Sequence, residues 1–244
     1  MDALESRHLA DLTFAEVSRA LRALSSAYVE RRERLAEGAA LTGAGKRAAF
    51  ALFYGPLHYL AVREIARALP DAMSVGSSLV DLGCGTGASG AGWAAAADRP
   101  PRVLGIDRHP WALAEADRTY RAFGLRARTE RADATAPRVT ASGAVLAAFA
   151  LNELPAAPRD ALLTRLLARR APGDCVLIVE PIARFVTPWW GRWREAVVAA
   201  GGRADEWRFA VDLPPIVAKL DRAAGLNHRE LTARSLWLPS VPSA

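Results

Sequence analysis

The run Leu79-Val80-Asp81-Leu82-Gly83-Cys84-Gly85-Thr86-Gly87 constrains the fold more than any other stretch of the chain. Apolar, strand-forming residues lead straight into three glycines, and a segment of small residues follows. Such a sequence turns sharply from a strand into a helix and lets the backbone approach a ligand closely. A plain strand-to-helix turn would not call for three glycines. Gly83, Gly85 and Ala88 also satisfy the G-x-G-x-x-A form of the dinucleotide fingerprint, so the loop alone leaves two ligand classes open.

From Ser77 onward, short apolar runs alternate with longer helical stretches. Strands are expected at 78–82, 102–106, 127–131, 144–149 and 175–180, with helices at 87–97, 110–123 and 158–170. Pro110 and Pro158 suit a first helical turn. This alternation predicts an α/β fold with a parallel sheet covered by helices. The tail reads as helix at 189–200, extended chain at 206–211, helix at 215–224 and extended chain at 229–238.

The first seventy-odd residues read as helical. Thr13-Phe-Ala-Glu16 has the form of a capping box, and Val17, Leu21, Leu24 and Tyr28 follow at helical spacing before Arg31, Arg32 and Arg34. A glycine- and alanine-rich loop spans 38–45. A helical stretch at 46–53 leads to Gly55-Pro56, and another at 58–69 ends before Pro70. The expected division is a helical cap over 1–76 and a ligand-binding domain over 77–244.

Composition narrows the class. Half of the 244 residues are apolar and a quarter are charged, which supports a real core and excludes disorder. No apolar run approaches the ~20 residues of a membrane span, and the first residues carry no basic, apolar leader. The expectation is a soluble, cytoplasmic protein. Two cysteines, Cys84 and Cys175, exclude a disulfide framework and a four-cysteine metal site. The four histidines lack ligand spacing, so no metal is expected. The net charge is +6, and all basic residues except Lys46 and Lys219 are arginine. That excess fits either an anionic partner such as RNA or a compositional bias.

Three acids at successive strand ends separate the two ligand classes. Asp81 precedes the first glycine, where a carboxylate can hold an ammonium group but would repel a pyrophosphate. Asp107 lies one βαβ step later, where an acid bonds ribose hydroxyls. Asp133, in Arg131-Ala-Asp133-Ala134, follows the third strand, within reach of an adenine amino group.

These residues resemble the class I S-adenosylmethionine-dependent methyltransferases. The resemblance runs from Ser77 to the end through Val-Asp-Leu-Gly-Cys-Gly-Thr-Gly, Gly-Ile-Asp and Ala-Asp-Ala. It implies a Rossmann-like, seven-stranded sheet whose last two strands form an antiparallel pair. It also implies that Gly83, Gly85 and Gly87 line the methionine and ribose and that Asp81 lies near the methionine ammonium. Asp107 would hold the ribose diol and Asp133 with Ala134 would face the adenine, with Cys84, Arg108 and Phe149 also among the cofactor contacts. The acceptor would meet the methyl group at the end of the fourth strand, where Asn152 and Glu153 are the polar candidates for catalysis. Transfer needs a nucleophile held about 3 Å away, and a general base only when that nucleophile carries a proton. The bland reading of Asn152 and Glu153 is a pair that fixes the loop. The Asn-Pro-Pro-Tyr run used for exocyclic amines is absent.

Shorter matches resemble one branch, the small-ribosomal-subunit-associated methyltransferase-like family. They are Leu24-Ser-Ser-Ala-Tyr28, Phe53-Tyr54, the stretch from His58-Tyr59 to Arg63, Phe149-Ala-Leu-Asn152-Glu153-Leu154, Leu177-Ile-Val-Glu180-Pro181, Glu206-Trp207-Arg208-Phe209 and Asp212-Leu213-Pro214. This implies ribosomal RNA or the small subunit as partner. Residues 182–244 lack the cysteines that many members carry for a metal cluster, which excludes such a cluster here. Candidate substrate contacts are Trp189, Arg192, Arg194 and Tyr54, with Arg184 nearby. Tryptophan faces and arginine can stack a base or an aromatic substrate, although Trp193 fits a packing role better. His58 fits an ordinary helix position better than a catalytic one. The alternatives are a small-molecule methyltransferase and a non-catalytic ribosome-assembly factor that binds the cofactor.

Overall fold

The computed structural model describes residues 1–30, 41–135, 143–169, 171–183 and 187–241, with backbone alone at 27–30. Arg31, Arg32, Arg34 and Arg184, and the first part of the 38–45 loop, lie outside the described residues. Two compact units emerge. One combines Met1–Leu57 with Ala210–Leu231, and the other combines His58–Phe209 with Thr232–Ala244.

The first unit is helical: α1 (Asp2–His8), α2 (Phe14–Glu30), α3 (Ala44–Ala49), the start of α4 (Gly55–Ala68) and α9 (Pro215–Ala224), numbered in chain order. The capping box forms. The Thr13 N–H donates to Glu16 Oε2 at 2.8 Å, and the Glu16 N–H donates to Thr13 Oγ1 at 3.3 Å. Val17, Leu21 and Leu24 are fully buried, as their spacing predicts. Helix α9 docks on α2 by a bond from Arg22 Nη1 to the Ala223 carbonyl and by Lys219 over the Phe14 ring.

Gly55-Pro56 does not interrupt the helix as its composition suggests. A π turn at Phe50–Tyr54 joins α3 to α4 without a break. Proline has no N–H to give, and its ring crowds the carbonyl four residues back. A widened turn just before it absorbs that crowding.

The second unit is a seven-stranded α/β sheet. Its strands are β1 (Ser78–Leu82), β2 (Arg102–Asp107), β3 (Ala127–Arg131), β4 (Ala144–Ala148), β5 (Cys175–Glu180), β6 (Arg203–Phe209) and β7 (Leu231–Leu238), in the order β3-β2-β1-β4-β5-β7-β6. Strands β1 to β5 are parallel, and β7 runs antiparallel to β5. The helices are α5 (Ala88–Ala96), α6 (Pro110–Ala122), α7 (Ala156–Leu167) and α8 (Trp190–Ala199), together with most of α4.

Alternation along the strands divides the core. Leu79, Val103, Leu146 and Leu177 pack with α4, α5 and α6, whereas Val80, Val145 and Ile178 pack with α7 and α8. Strands β4 and β5 are buried at every position, as central parallel strands require. Helix α5 is small-residued because it is buried almost all round. A Cβ on Gly92 would stand 2.5 Å from the Tyr59 carbonyl oxygen of α4. Strand β6 begins three residues before the expected 206. It starts directly after the Gly201-Gly202 turn, and its polar first residues are tolerated because it is an edge strand. Among the described residues, no helix is long and apolar enough to cross a membrane.

Candidate functional site

The parallel strands β1, β2 and β3 deliver Asp81, Asp107 and Asp133 to one edge of the sheet, with the glycine turn between β1 and α5. Gly83, Gly85 and Gly87 take φ of +68°, +52° and +74°, the left-handed region that only glycine enters without cost. Space adds a second demand at Gly83, where a Cβ would lie 2.6 Å from that of Ala150. The turn is pinned to β2 twice: the Cys84 N–H donates to the Ile106 carbonyl at 2.9 Å, and the Gly85 N–H to Asp107 Oδ2 at 2.9 Å. Asp107 Oδ1 accepts from the His109 N–H at 2.8 Å. Each carboxylate oxygen has two lone pairs, so these two bonds leave acceptor capacity for a pair of ribose hydroxyls.

Asp81 lies beneath the turn rather than in it. It is 1% exposed; its Oδ2 accepts from the Gly90 N–H in the first turn of α5 at 3.0 Å and from the Tyr120 hydroxyl at 3.4 Å. Burial pushes its carboxyl up to about 7, opposed by those two bonds and reinforced by Asp107. Cys84 and Tyr120 share this pocket, and burial raises both well above their usual ranges. Tyr120, absent from the sequence reading, crowds Gly105: a Cβ there would meet its hydroxyl at 2.8 Å and Cys84 Sγ at 3.0 Å. Asp133 Oδ1 accepts from the Thr135 N–H and hydroxyl, at 2.7 and 2.5 Å, and these bonds hold its carboxyl below the usual range. Ala134 follows it, partly buried.

The end of β4 is built differently. Phe149 takes φ of +57°, rare for a bulky residue. Its N–H donates to the Val179 carbonyl at 2.8 Å, and its ring stacks on His58 of α4 with centroids 4.1 Å apart and planes 14° apart. Burial pushes the His58 imidazole down to about 3, so it stays neutral across the physiological range. A single 3₁₀ turn, Leu151–Glu153, follows. The buried Glu180, last residue of β5, holds it: Oε1 accepts from the Leu151 N–H at 3.0 Å and Oε2 from Asn152 Nδ2 at 2.5 Å. Asn152 Oδ1 in turn accepts from Trp189 Nε1 at 3.2 Å.

Glu153 is free of that network and 33% exposed. Its Oε2 lies 4.0 Å from Arg108 Nη2, which joins the end of β4 to the end of β2. Desolvation raises its carboxyl to about 7, while Arg108 pulls it down and Asp107 pushes it up.

Trp189 is 7% exposed and packs edge-on against Trp193 at 4.9 Å with Arg159 over its face. Its ring is core, and its N–H is spent on Asn152. Arg192 and Arg194 are both exposed on α8. Arg192 pairs with Asp160, and two positions along a helix turn a side chain by about 200°, so the two arginines do not share a face. Tyr54 belongs to the first unit. Its hydroxyl is 3.0 Å from Ser25 Oγ, and burial raises it above the usual phenol range. Among the described residues, no group of three metal-ligating side chains is placed to hold an ion.

With this geometry established, comparison with known proteins defines the class. Residues 79–173 match the family model of a methyltransferase domain. No curated protein matches the sequence. Several solved structures share the fold. An O-methyltransferase family protein from Burkholderia thailandensis is 14% identical, with TM-score 0.53, over 90% of this chain and 63% of that one. The plantazolicin methyltransferase BpumL, solved in complex with a monoazolic desmethylPZN analog and SAH, is 9% identical with TM-score 0.53, over 93% and 97% of the two chains. A candidate RNA methyltransferase from Pyrococcus horikoshii is 11% identical with TM-score 0.50, over 82% and 86%. The chain thus carries an S-adenosylmethionine-dependent methyltransferase domain, and S-adenosylmethionine is its cofactor.

Proposed function

We propose that this protein methylates ribosomal RNA or another component of the small ribosomal subunit. The observation that carries the methyl-transfer reading is the convergence of Asp81, the glycine turn and Asp107 on one sheet edge, with Glu153 beside Arg108 next to them. The donor set fits the cofactor. Asp107 offers acceptors for the ribose diol, the left-handed turn offers close backbone approach, and Asp133 with Ala134 borders the adenine position. Asp81 acts on the methionine ammonium from below the turn. Cys84, Arg108 and Phe149 complete the lining, with Phe149 and the neutral His58 adding no positive charge beside a sulfonium.

The bound cofactor supplies an electrophilic methyl group. Glu153 receives the proton of the acceptor, and its raised carboxyl suits a base working near neutral pH. Asn152 keeps the turn that carries Glu153 in place. Arg192 and Arg194 contact the acceptor from α8, on separate faces.

The ribosomal reading is supported by the branch resemblance of the sequence and by the arginine excess. In the test, purified small subunits, free ribosomal RNA and a panel of small aromatic acceptors are incubated with methyl-labelled S-adenosylmethionine. Label in the RNA or subunit is expected. Label only in small molecules would favour the second reading, a small-molecule methyltransferase. The extended match to the plantazolicin enzyme, whose chain this one covers almost completely, favours that alternative.

A further inference from the structure

We propose that Glu180 is a positioning residue that, through Asn152 and Trp189, fixes the place and the proton affinity of Glu153. The inference rests on the reading of Glu153 as the proton acceptor, but its test does not need turnover.

The network has a direction. A carboxylate only accepts, a backbone N–H and an indole N–H only donate, and an amide does both. Glu180 therefore receives two donors, from Leu151 and from the Asn152 amide nitrogen. The Asn152 oxygen is left to receive the Trp189 N–H. Each bond fixes the next, so the amide has one allowed orientation. Glu180 is fully buried at the end of a rigid central strand, and Trp189 is wedged against Trp193. The turn Leu151–Glu153 is thus clamped at its first two residues, and its third, Glu153, is the one that projects beside Arg108. Two hydrogen bonds of this fully buried acid reach the turn, from 28 and 29 residues away. Arg234 lies directly across from Glu180 in the β5–β7 register.

The charged groups that act on Glu153 are Arg108, at 4.0 Å, and Asp107 at the end of β2. Glu180 is not among them, so its influence runs through the backbone of the turn. Releasing the clamp lets Glu153 swing toward water, and its proton affinity then falls toward the ordinary range.

Replacing Glu180 by Gln reverses part of this pattern. Glutamine keeps one acceptor for the Leu151 N–H but turns a donor toward the Asn152 amide. Either that bond or the Trp189 bond is then lost. Adding Asn152→Asp restores the pattern in mirror form, because Asp at 152 accepts from both the glutamine amide and the indole. The net charge is unchanged.

The experiment is carbon-13 NMR titration of the Glu153 carboxyl in the full chain, assigned with E153Q. Calorimetry with S-adenosylhomocysteine and thermal melting report the fold. The Glu153 midpoint is expected near 7 in the parent. It should fall by about one pH unit in E180Q, by less in Trp189→Phe, and return in the E180Q/N152D pair. An unchanged midpoint in a folded E180Q overturns the proposal. If E180Q does not fold, an unchanged midpoint in Trp189→Phe overturns it equally. Loss of labelled transfer in E153Q bears only on the base assignment. A clamp that holds while E153Q stays active would separate positioning from catalysis.

Discussion

The ends of β1 and β2 hold their acids mainly with backbone N–H groups, whereas the acid ending β5 divides its bonds between the backbone of Leu151 and the side chain of Asn152. Asp81 caps α5 through the Gly90 N–H, and Asp107 grips the N–H groups of Gly85 and His109. Those partners come from the chain path itself and survive most substitutions nearby. Glu180 takes one donor from the Leu151 backbone and the other from Asn152, and Asn152 in turn takes the Trp189 N–H. The first region is a rigid cradle in which glycine is the vulnerable residue. The second is a chain of donors in which each side chain is vulnerable.

The largest effect should come from the cradle. Gly83→Ala combines a positive φ with a contact 2.6 Å from Ala150. It should cost about 2–4 kcal/mol in urea unfolding. A loss under about 0.5 kcal/mol would show that the turn relaxes freely and that the contrast is wrong.

Asp107→Ala should weaken cofactor binding by roughly 1–3 kcal/mol, the scale of charge-assisted hydrogen bonds. In the apo protein the N–H groups of Gly85 and His109 lose their acceptor. The apo melting temperature should fall as well, and Asp107→Asn should recover part of it.

Asp81 gives a pH signature. Its folded carboxyl titrates near 7 against an ordinary 3.8, so its burial favours the protonated form. Its contribution to apo stability is complete below about pH 4 and is lost as pH rises to about 7. An ammonium ligand needs the ionised form, so cofactor affinity should rise up to about tenfold per pH unit toward 7 and level off above it. Calorimetry across that range in the parent and in Asp81→Asn checks both points, and the variant should lose the slope. A flat parent profile would mean that Asp81 does not sense the ligand.

The smallest effects belong to α8. Arg192→Ala breaks an exposed, solvent-screened pair with Asp160 and should leave the thermal melting midpoint essentially unchanged. If RNA is bound there, Arg192→Ala and Arg194→Ala should each lower the salt slope of RNA affinity by about one. Their effects should add, since the two side chains point apart. A slope that neither changes places the RNA elsewhere.

How much of this was legible in the chain follows the same division. The sheet, its helices and the three strand-end acids were readable, because apolar runs, glycines at a tight turn and acids at strand ends are local signals. Strand β6 was read three residues late, because polar residues open it on an exposed edge. Gly55-Pro56 read as a break, because nothing local signals that a π turn can carry a helix past proline. The Glu180 clamp was hidden. Its partners lie 28 and 29 residues away in sequence, so only the β4–β5 pairing brings them together. For the same reason Trp189 read as an acceptor contact, when its N–H belongs to Asn152 and its ring to the core.

The measurement that bears most directly on the central claim is isothermal calorimetry of the full chain with S-adenosylmethionine, S-adenosylhomocysteine and NAD. The glycine turn with Asp81 beneath it and Asp107 beside it predicts saturable binding of both sulfur nucleosides and none of NAD. Tight NAD binding without either sulfur nucleoside would contradict the account.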